Sequence, residues 1–333
     1  MMEVLNKNSL QSGLKYKDNR GIVAIKDGVK KSGAVDQDII LNKPDWFRVQ
    51  FPQGENFHAL KSQVNRLNLS TVCEESKCPN IGECWNHKTA TLMLMGKICT
   101  RACHFCSVDT GNPKGWLDPY EPINTAKTVK FMNLDYVVLT SVDRDDLQDG
   151  GSTHIAKTVE EIRTLQPKIT IEVLSPDFKG DLLFLDTVIE SGLDVFSHNI
   201  ETTERLTPSV RDPRAGYRQT LKLLSHAHNK NVIVKSGIML GLGESRDEVI
   251  TTMEDLQASG VSILTMGQYL SPTKNHIPVV RYVTPEEFKE FEKIGRSIFI
   301  KNNFEAIDDI DDDILYYNHH IDLIVDRLSK FID

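Results

Sequence analysis

The sequence predicts an α/β fold in which helices cover a parallel sheet. Two observations support this prediction: short strand-like runs alternate with helical patterns along most of the chain, and polar or glycine-rich segments follow the strand ends. Six strand–helix units are too few for a closed eight-stranded barrel. In sheets of this kind the functional residues lie in the loops after the strands, so chemistry is expected there.

The predicted strands are short and largely apolar. They are Thr91–Met95, Tyr136–Thr140, Ile169–Leu174, Val195–His198, Val232–Gly237 and Ile263–Met266. The helical patterns between them cover Thr125–Met132, His154–Leu165, Leu182–Glu190, Tyr217–His228 and Arg246–Ala258. A last helix is expected over Pro285–Lys301, because Thr284 can cap it and Pro285 suits the first helical position.

Two different segments precede the first strand. Residues 1–44 are polar with little periodicity, and we expect them to form a partly ordered arm. Within residues 57–69, Leu60, Val64 and Leu67 have helical spacing, so a helix is expected to lead into the first cysteine.

All six cysteines of the chain fall into two triplets. Cys99, Cys103 and Cys106 form a C-x3-C-x2-C array just after the first strand, and Cys73, Cys78 and Cys84 form a C-x4-C-x5-C array. Three thiolates on one short loop can bind three irons of an iron–sulfur cube and leave the fourth iron open. A closed zinc site with His104 as fourth ligand is the alternative. Disulfides are disfavoured, since nothing in the sequence indicates an oxidising compartment.

Both cysteine arrays resemble known motifs. The segment C-T-R-A-C-H-F-C, residues 99–106, resembles the signature of the radical S-adenosylmethionine (SAM) superfamily. The segment C-E-E-S-K-C-P-N-I-G-E-C-W, residues 73–85, resembles the auxiliary-cluster motif of the lipoyl synthase family. The resemblance to that family extends from about Asp45 to about Thr284.

The resemblance implies a radical SAM partial (β/α)6 barrel with an N-terminal auxiliary-cluster extension and a C-terminal helical tail. On this basis we divide the chain into a polar arm at 1–44, an auxiliary iron–sulfur segment at 45–90, a partial barrel at 91–284 and a tail at 285–333.

The resemblance also implies cofactors and a reaction. Two 4Fe-4S clusters are expected, one on each cysteine triplet, and two SAM molecules are used per product. In this family an electron from the cluster on Cys99, Cys103 and Cys106 cleaves SAM to a 5′-deoxyadenosyl radical. The radical removes hydrogen from C6, and later C8, of an octanoyl group on a carrier-domain lysine. Sulfide from the auxiliary cluster then forms the two C–S bonds of the dihydrolipoyl group.

Candidate SAM contacts lie after the second and the fourth predicted strands. By resemblance, Gly150 and Gly151 receive the SAM amino group, and Asn199 and Glu201 contact the ribose hydroxyls. The glycines also let the backbone approach a ligand closely.

Two cations are candidates for the SAM carboxylate, namely Lys235 at the fifth strand and Arg218 in the preceding helix. Residues 267–282 resemble the family's segment that closes over the substrate. His276 in that segment is either part of this wall or a structural loop residue.

Expected protein partners also follow from the resemblance. They are octanoylated lipoyl domains of 2-oxoacid dehydrogenase acyltransferases (E2) or of the glycine cleavage H protein, a flavodoxin or ferredoxin reductant, and an iron–sulfur carrier that rebuilds the auxiliary cluster. A net charge of −8 disfavours nucleic acid as a partner. No apolar run approaches the roughly 20 residues that span a bilayer, and the first residues lack a signal-peptide core, so we expect a cytoplasmic protein.

The C-terminal tail departs from the family. Lipoyl synthases end in an Arg-Ser-Ser-Tyr segment whose serine is the fourth ligand of the auxiliary cluster, whereas residues 307–320 here contain no serine; the only serines beyond Pro285 are Ser297 and Ser329. Three explanations are open. The tail is divergent or shifted in reading frame and the enzyme is impaired, or the auxiliary cluster has an open iron, or the serine is replaced by another donor, namely an aspartate from 308 to 313, Tyr316, Tyr317, His319 or His320.

Other functions remain possible from sequence. They are an impaired paralogue, a radical SAM enzyme whose second cluster only relays electrons, and a non-catalytic iron–sulfur protein.

Overall fold

The computed structural model describes residues 10–28, 44, 55–67, 69–75, 81, 85, 91–134 and 136–300. Its strands are β1 (Lys15–Lys17), β2 (Val23–Ile25), β3 (Ser70–Thr71), β4 (Thr91–Leu94), β5 (Ile98–Cys99), β6 (Asp109–Gly111), β7 (Tyr136–Ser141), β8 (Thr170–Leu174), β9 (Val195–Ser197), β10 (Ile233–Leu240) and β11 (Ile263–Gln268). Its helices are α1 (Glu55–Arg66), α2 (Val72–Glu75), α3 (Glu121–Met132), α4 (Ser152–Leu165), α5 (Leu182–Ile189), α6 (Thr207–Val210), α7 (Tyr217–His228), α8 (Arg246–Ala258) and α9 (Pro285–Ile300).

The larger sheet has the strand order β11-β10-β9-β8-β7-β4-β3. In this order the six strands from β11 to β4 are parallel to their neighbours, and β3 pairs antiparallel with β4 at the edge. Among the described residues no ladder joins β4 to β11, so the barrel is open. The predicted α/β partial barrel is therefore confirmed.

The predicted elements match the observed ones closely. The bounds of α7 and α8 agree with the sequence pattern, and Thr284 and Glu287 form the reciprocal hydrogen bonds that begin α9. Strand β10 extends three residues beyond the expected end at Gly237, because its pairing with β11 continues as far as Leu240 and Gln268.

The core lies between the helices and the outer face of the sheet. Ile155, Val159 and Ile162 of α4 are at most 1% exposed and belong to the same buried cluster as Val137 and Leu139. Full burial of such a side chain contributes about 1.5–3 kcal/mol.

The inner face of the barrel carries a smaller apolar cluster that includes Tyr136, Val138 and Val195. Tyr136 and Val138 alternate with the core residues along β7, because successive side chains of a strand point to opposite faces.

A second sheet has the order β1-β2-β6-β5 and contains the start of the cysteine loop. Part of the segment predicted to be a partly ordered arm is thus a β-hairpin, paired antiparallel with β6. Tyr16 is buried in this sheet together with Ala24 and Ile98, and its hydroxyl donates to the Asp109 carboxylate.

Candidate functional site

The three-cysteine loop connects β5 to β6 at the edge where the barrel strands end. Each thiol of this loop has a backbone N–H donor. The amide of Arg101 is 3.4 Å from Cys99 Sγ, and that of Asp212 is 3.3 Å from Cys103 Sγ. A third hydrogen bond runs to Cys106 from the backbone of Val108. Such donors stabilise a thiolate, the form that binds metal.

Burial opposes ionisation of these thiols. It raises the pKa of Cys99 well above its usual range, that of Cys103 to about 12 and that of Cys106 to about 11. The thiolates are therefore stable at neutral pH only beside a compensating cation. An iron–sulfur cluster supplies such a charge, so the donor set fits the predicted cluster.

The described residues do not favour a single-ion site. No group of three or more His, Cys, Asp or Glu side chains in this part of the chain is placed to hold one metal ion. His104, the alternative zinc ligand, has its Nδ1 2.7 Å from the Ser209 carbonyl oxygen. A cube takes one thiolate per iron and so needs its ligands further apart than a zinc ion does.

Arg101 fixes the loop from inside the protein. Its side chain is 2% exposed, and its guanidinium contacts both Asp145 and Asp177. The neighbouring Thr100 donates its amide at 2.9 Å to the carbonyl of Asp143, which follows β7. The loop is therefore bound to the ends of two barrel strands.

A second brace comes from the loop before α7. The Asp212 carboxylate accepts the amide of Ala102 at 2.9 Å and is itself held by the Arg214 guanidinium at 2.7 Å. Arg214 also contacts Asp145 at 2.8 Å. These contacts lower the pKa of Asp212 well below its usual range.

The other side of the loop contacts the hairpin and the segment after β11. His276 is 2% exposed, and its Nε2 lies 3.0 Å from the Cys106 carbonyl oxygen. Since a carbonyl only accepts, Nε2 carries the proton. A Cβ on Gly28 would lie 2.8 Å from the same oxygen. His276 is therefore built into the support of the cysteine loop.

The two predicted glycines have backbone conformations that favour glycine. Gly150 has φ +61° and Gly151 has φ +91°. A Cβ on Gly151 would lie 2.1 Å from Met95 Sδ, and one on Gly150 2.9 Å from the Phe178 ring. Backbone conformation and packing together thus favour glycine at both positions, and their contact with SAM stays a prediction.

The predicted ribose residues converge beside the cysteine loop. Glu201 has φ +68°, and β10 holds this conformation through hydrogen bonds to Gly237 and Met239. Burial raises the pKa of Glu201, and its charge raises that of Cys106, so the two side chains are close. Asn199 hydrogen-bonds Glu201. Their role in binding the ribose stays a prediction.

The two candidate cations for the carboxylate already have carboxylate partners. Lys235 lies inside the barrel, where its Nζ is 2.9 Å from Glu172, which also accepts from the Tyr136 hydroxyl. Arg218 is 66% exposed and contacts Glu204 through two nitrogens at 2.7 Å.

The auxiliary triplet is described only at Cys73, while Cys78, Cys84 and the tail from residue 301 lie outside the described residues. Cys73 packs with Phe57 and the fully buried Trp85. Within the described part of the chain, the Trp85 Nε1 has no hydrogen-bond partner of normal geometry. This N–H nevertheless lies near Cys73 and offsets part of the rise that burial causes in the pKa of the thiol. A buried N–H beside a thiol stabilises the thiolate, the form that binds metal.

Sequence reasoning missed Arg211, Asp212 and Arg214. Their signal was the charged Arg-Asp-Pro-Arg stretch, residues 211–214, which precedes α7. Of the cations in this region only Arg218, inside α7, was selected. The partners of these residues belong to loops far away in the chain, so the stretch by itself does not identify a role.

Two family models match the chain. The Radical SAM superfamily matches residues 93–256, and the N-terminal domain of lipoyl synthase matches residues 15–78. The second match includes the hairpin and, in the auxiliary segment, the described residues as far as Glu75.

Proteins named lipoyl synthase are similar over most of the chain. The protein from Marinobacter nauticus is 56% identical over 87% of this chain and 84% of its own length. The protein from Legionella pneumophila (strain Corby) is 56% identical over 86% and 87%, respectively. The one from Francisella tularensis subsp. holarctica (strain LVS) is 53% identical over 87% and 88%.

Among solved structures, HydG, a maturase of the FeFe hydrogenase, has a TM-score of 0.50 at 12% identity, covering 74% of this chain and 66% of that chain. This likeness supports the fold alone. None of the described helices is both long and apolar enough to cross a membrane.

Proposed function

The chain belongs to the lipoyl synthase family of the radical SAM superfamily, and on that premise we propose which residues carry each part of its chemistry. The enzyme inserts sulfur at C6 and C8 of a protein-bound octanoyl group, and it uses SAM and 4Fe-4S clusters. Its substrates are lipoyl carrier domains.

Cys99, Cys103 and Cys106 would hold the cluster that binds SAM. The observation that carries this assignment is the set of three buried thiols, each with a backbone N–H donor, on one loop at the strand ends. When bound, this cluster would supply the electron that cleaves SAM to a carbon radical. Such a radical can take hydrogen from an unactivated C–H bond, which acid–base groups cannot attack. The chain itself orients the loop, through Arg101 on one side and His276 on the other.

Cys73, Cys78 and Cys84 would hold the cluster that donates sulfur. Ser107, which follows Cys106, donates its hydroxyl to the carbonyl of Glu75 at 2.8 Å. Glu75 is two residues after Cys73, so this bond ties the auxiliary segment to the SAM-binding loop. This tie supports the assignment, because the sulfur donor has to lie beside the site of hydrogen abstraction.

Specific partners and location belong to the same proposal. We assign as carriers the acyltransferases (E2) of 2-oxoacid dehydrogenases or the glycine cleavage H protein, and as reductant a flavodoxin or ferredoxin. An iron–sulfur carrier would restore the auxiliary cluster after turnover. Six cysteines used as metal ligands need a reducing compartment, and we therefore assign the chain to the cytoplasm.

The test is iron and acid-labile sulfide per chain after anaerobic reconstitution, together with 5′-deoxyadenosine formed from SAM. We expect about eight irons in the wild type and about four in the Cys73→Ala/Cys78→Ala/Cys84→Ala variant. Both proteins should cleave SAM, but only the wild type should form lipoyl product. Absence of 5′-deoxyadenosine in the wild type would overturn the proposal. Four irons in both proteins would mean that the auxiliary cluster, the sulfur donor, does not form.

A further inference from the structure

The hairpin of β1 and β2 and the loop after β6 combine exposed cations with exposed apolar side chains. In residues 10–28 and 111–120 every exposed charged side chain is a cation, although the whole chain has a net charge of −8. Seven large apolar side chains are exposed in the described part of the chain, and four of them lie here, namely Leu14, Val23, Trp116 and Tyr120. We call the following residues the hairpin surface: Lys15, Lys17, Arg20, Val23, Lys114 and Trp116.

Two lysines of this surface lie on the outer face of the hairpin. Lys15 and Lys17 are exposed, whereas Tyr16 between them is buried, because successive side chains of a strand point to opposite faces. Val23, which is 46% exposed, pairs with Lys17 across the hairpin. The ion pairs among the described residues include Arg20 with Asp18 but none of the three lysines of the surface. These lysines are therefore available to carboxylates of another molecule.

Trp116 is held in place although it is 41% exposed. The Arg20 guanidinium lies over its ring, 4.2 Å from the centroid, and Asp18 accepts from Arg20 Nε at 2.9 Å. The Trp116 carbonyl accepts from the buried Arg144 at 2.9 Å. Fixed, exposed tryptophan and arginine side chains are typical of the residues that contribute most to protein interfaces.

The hairpin surface is built on the sheet that carries the three-cysteine loop. Strand β2 pairs with β6, and β6 pairs with β5, which ends at Cys99. On the other side, Arg144, which binds the Trp116 carbonyl, follows Asp143, whose carboxylate is 3.9 Å from Cys99 Sγ. A protein bound to this surface would thus lie close to the three-cysteine loop.

We propose that the hairpin surface docks the electron donor of the enzyme, a small protein with an acidic face around its redox centre. This inference rests on the proposed function and names the docking site of a partner within it. One electron leaves the reduced donor, which is thereby oxidised, and enters the cluster held by the three-cysteine loop. A donor needs only to approach that loop, whereas the acyl chain of the carrier domain has to enter the barrel. Short encounters of this kind use small interfaces and charge attraction, which a surface with cations and no exposed acid supplies.

The experiment measures the dissociation constants of an oxidised flavodoxin and of an oxidised ferredoxin for the reconstituted chain. Binding should weaken as the salt concentration rises, because salt screens exposed charges. Lys15→Glu/Lys17→Glu/Lys114→Glu should weaken binding by about 10- to 100-fold. Trp116→Ala should also weaken it, by about 10-fold.

A matched control carries the same change in net charge at a distance from the hairpin. Its substitutions replace three exposed lysines on or beside α4 and α7, namely Lys157→Glu/Lys168→Glu/Lys222→Glu. This variant should bind the donor within about threefold of the wild type, since screening limits the effect of distant charges. Iron per chain, measured on every variant, should equal that of the wild type.

Formation of 5′-deoxyadenosine separates docking from chemistry. With the protein donor, the variant of Lys15, Lys17 and Lys114 should cleave SAM more slowly than the wild type. With dithionite, a small reductant that needs no docking surface, the two rates should be equal. Lys17→Glu and Lys114→Glu alone should each weaken donor binding by about two- to fivefold, which keeps the test decisive if the triple variant does not fold.

Several results would overturn the inference. They are no binding of either donor to the wild type, unchanged donor binding in the hairpin variants, and equal weakening in the control. A higher KM for the octanoylated carrier domain with donor binding unchanged would assign the surface to the carrier and would also overturn it. A wild type that loads iron but forms no 5′-deoxyadenosine with dithionite would instead overturn the proposed function.

Discussion

Arg101 places its two terminal nitrogens against the two carboxylate oxygens of Asp177, at 2.7 and 2.6 Å. Arg101 lies between the first two cysteines of the loop, and Asp177 lies three residues beyond the end of β8. This ion pair therefore connects the three-cysteine loop to a strand end near the middle of the sheet.

Breaking this pair should destabilise the chain. Arg101→Met leaves Asp177 buried without its main partner, and we expect the free energy of unfolding to fall by about 3–5 kcal/mol in urea denaturation of the cluster-free chain. Arg101→Met/Asp177→Leu should recover part of this loss. The exposed ion pair between Arg205 and Glu248 is the control, since Arg205→Met should lower the free energy of unfolding far less. Equal losses at the two sites would contradict the argument.

Gly28→Ala should disturb the cysteine loop. The new Cβ would lie 2.6 Å from the Val108 carbonyl oxygen and 2.8 Å from that of Cys106, and φ is +75°. We expect a loss of about 2–4 kcal/mol and fewer irons per chain. Gly96→Ala, where φ is +79° and no described atom lies within 4 Å, isolates the backbone cost, about 1 kcal/mol. If both variants lose the same stability and iron, crowding at Gly28 is not the cause.

The chain should become less stable as the pH falls, because the unfolded chain then binds a proton at His198 that the folded chain does not bind. Burial, and next the charge of Arg211, lower the pKa of His198 to about 4, while Asp177 opposes this and Arg101 adds to it. The unfolded chain binds a proton near pH 6.5, so this contribution is fully present above pH 6.5 and is lost as pH falls towards 4. The expected loss is about 3 kcal/mol.

Urea titrations at several pH values check this prediction against His198→Gln. The variant should be less stable than the wild type at pH 7.5 but should have a flatter pH dependence between pH 6.5 and 4. Parallel curves for the two proteins would show that His198 does not carry the effect.

The buried pair of Lys235 and Glu172 should act on stability. Lys235→Met leaves the carboxylate uncompensated inside the barrel, where Glu172 is 2% exposed, and should cost about 3–5 kcal/mol. Lys235→Met/Glu172→Leu should regain much of that loss, as measured by thermal and urea unfolding. No recovery in the double variant would show that Lys235 contributes by packing and not by pairing.

Local patterns made much of the fold predictable. Thr284 was predicted to cap the last helix, and its hydroxyl oxygen accepts from the Glu287 amide at the start of α9. The hairpin at residues 15–25 was not predicted, because its strands are three residues long and Lys15 and Lys17 are exposed. Its stability comes from β6, which lies far along the chain.

The candidate site was predictable where the chemistry requires particular residue types. Cysteine spacing selected the three-cysteine loop, and strand ends selected Glu201 and Asn199, whose roles stay predictions. The role of a cation depends on which carboxylates the fold places near it, and these lie on other elements. Thus Lys235 and Arg211 look alike in sequence, whereas the described part of the structure pairs the first and leaves the second without an acid.

The hairpin of β1 and β2 has a consequence for maturation of the protein. It is hydrogen-bonded to β6, which pairs with the strand that carries Cys99, and Gly28 packs on the Cys106 carbonyl. A copy cleaved between Ile25 and the cysteines would lose the support on one side of the metal-binding loop. We therefore expect such a copy to load less iron than the intact chain.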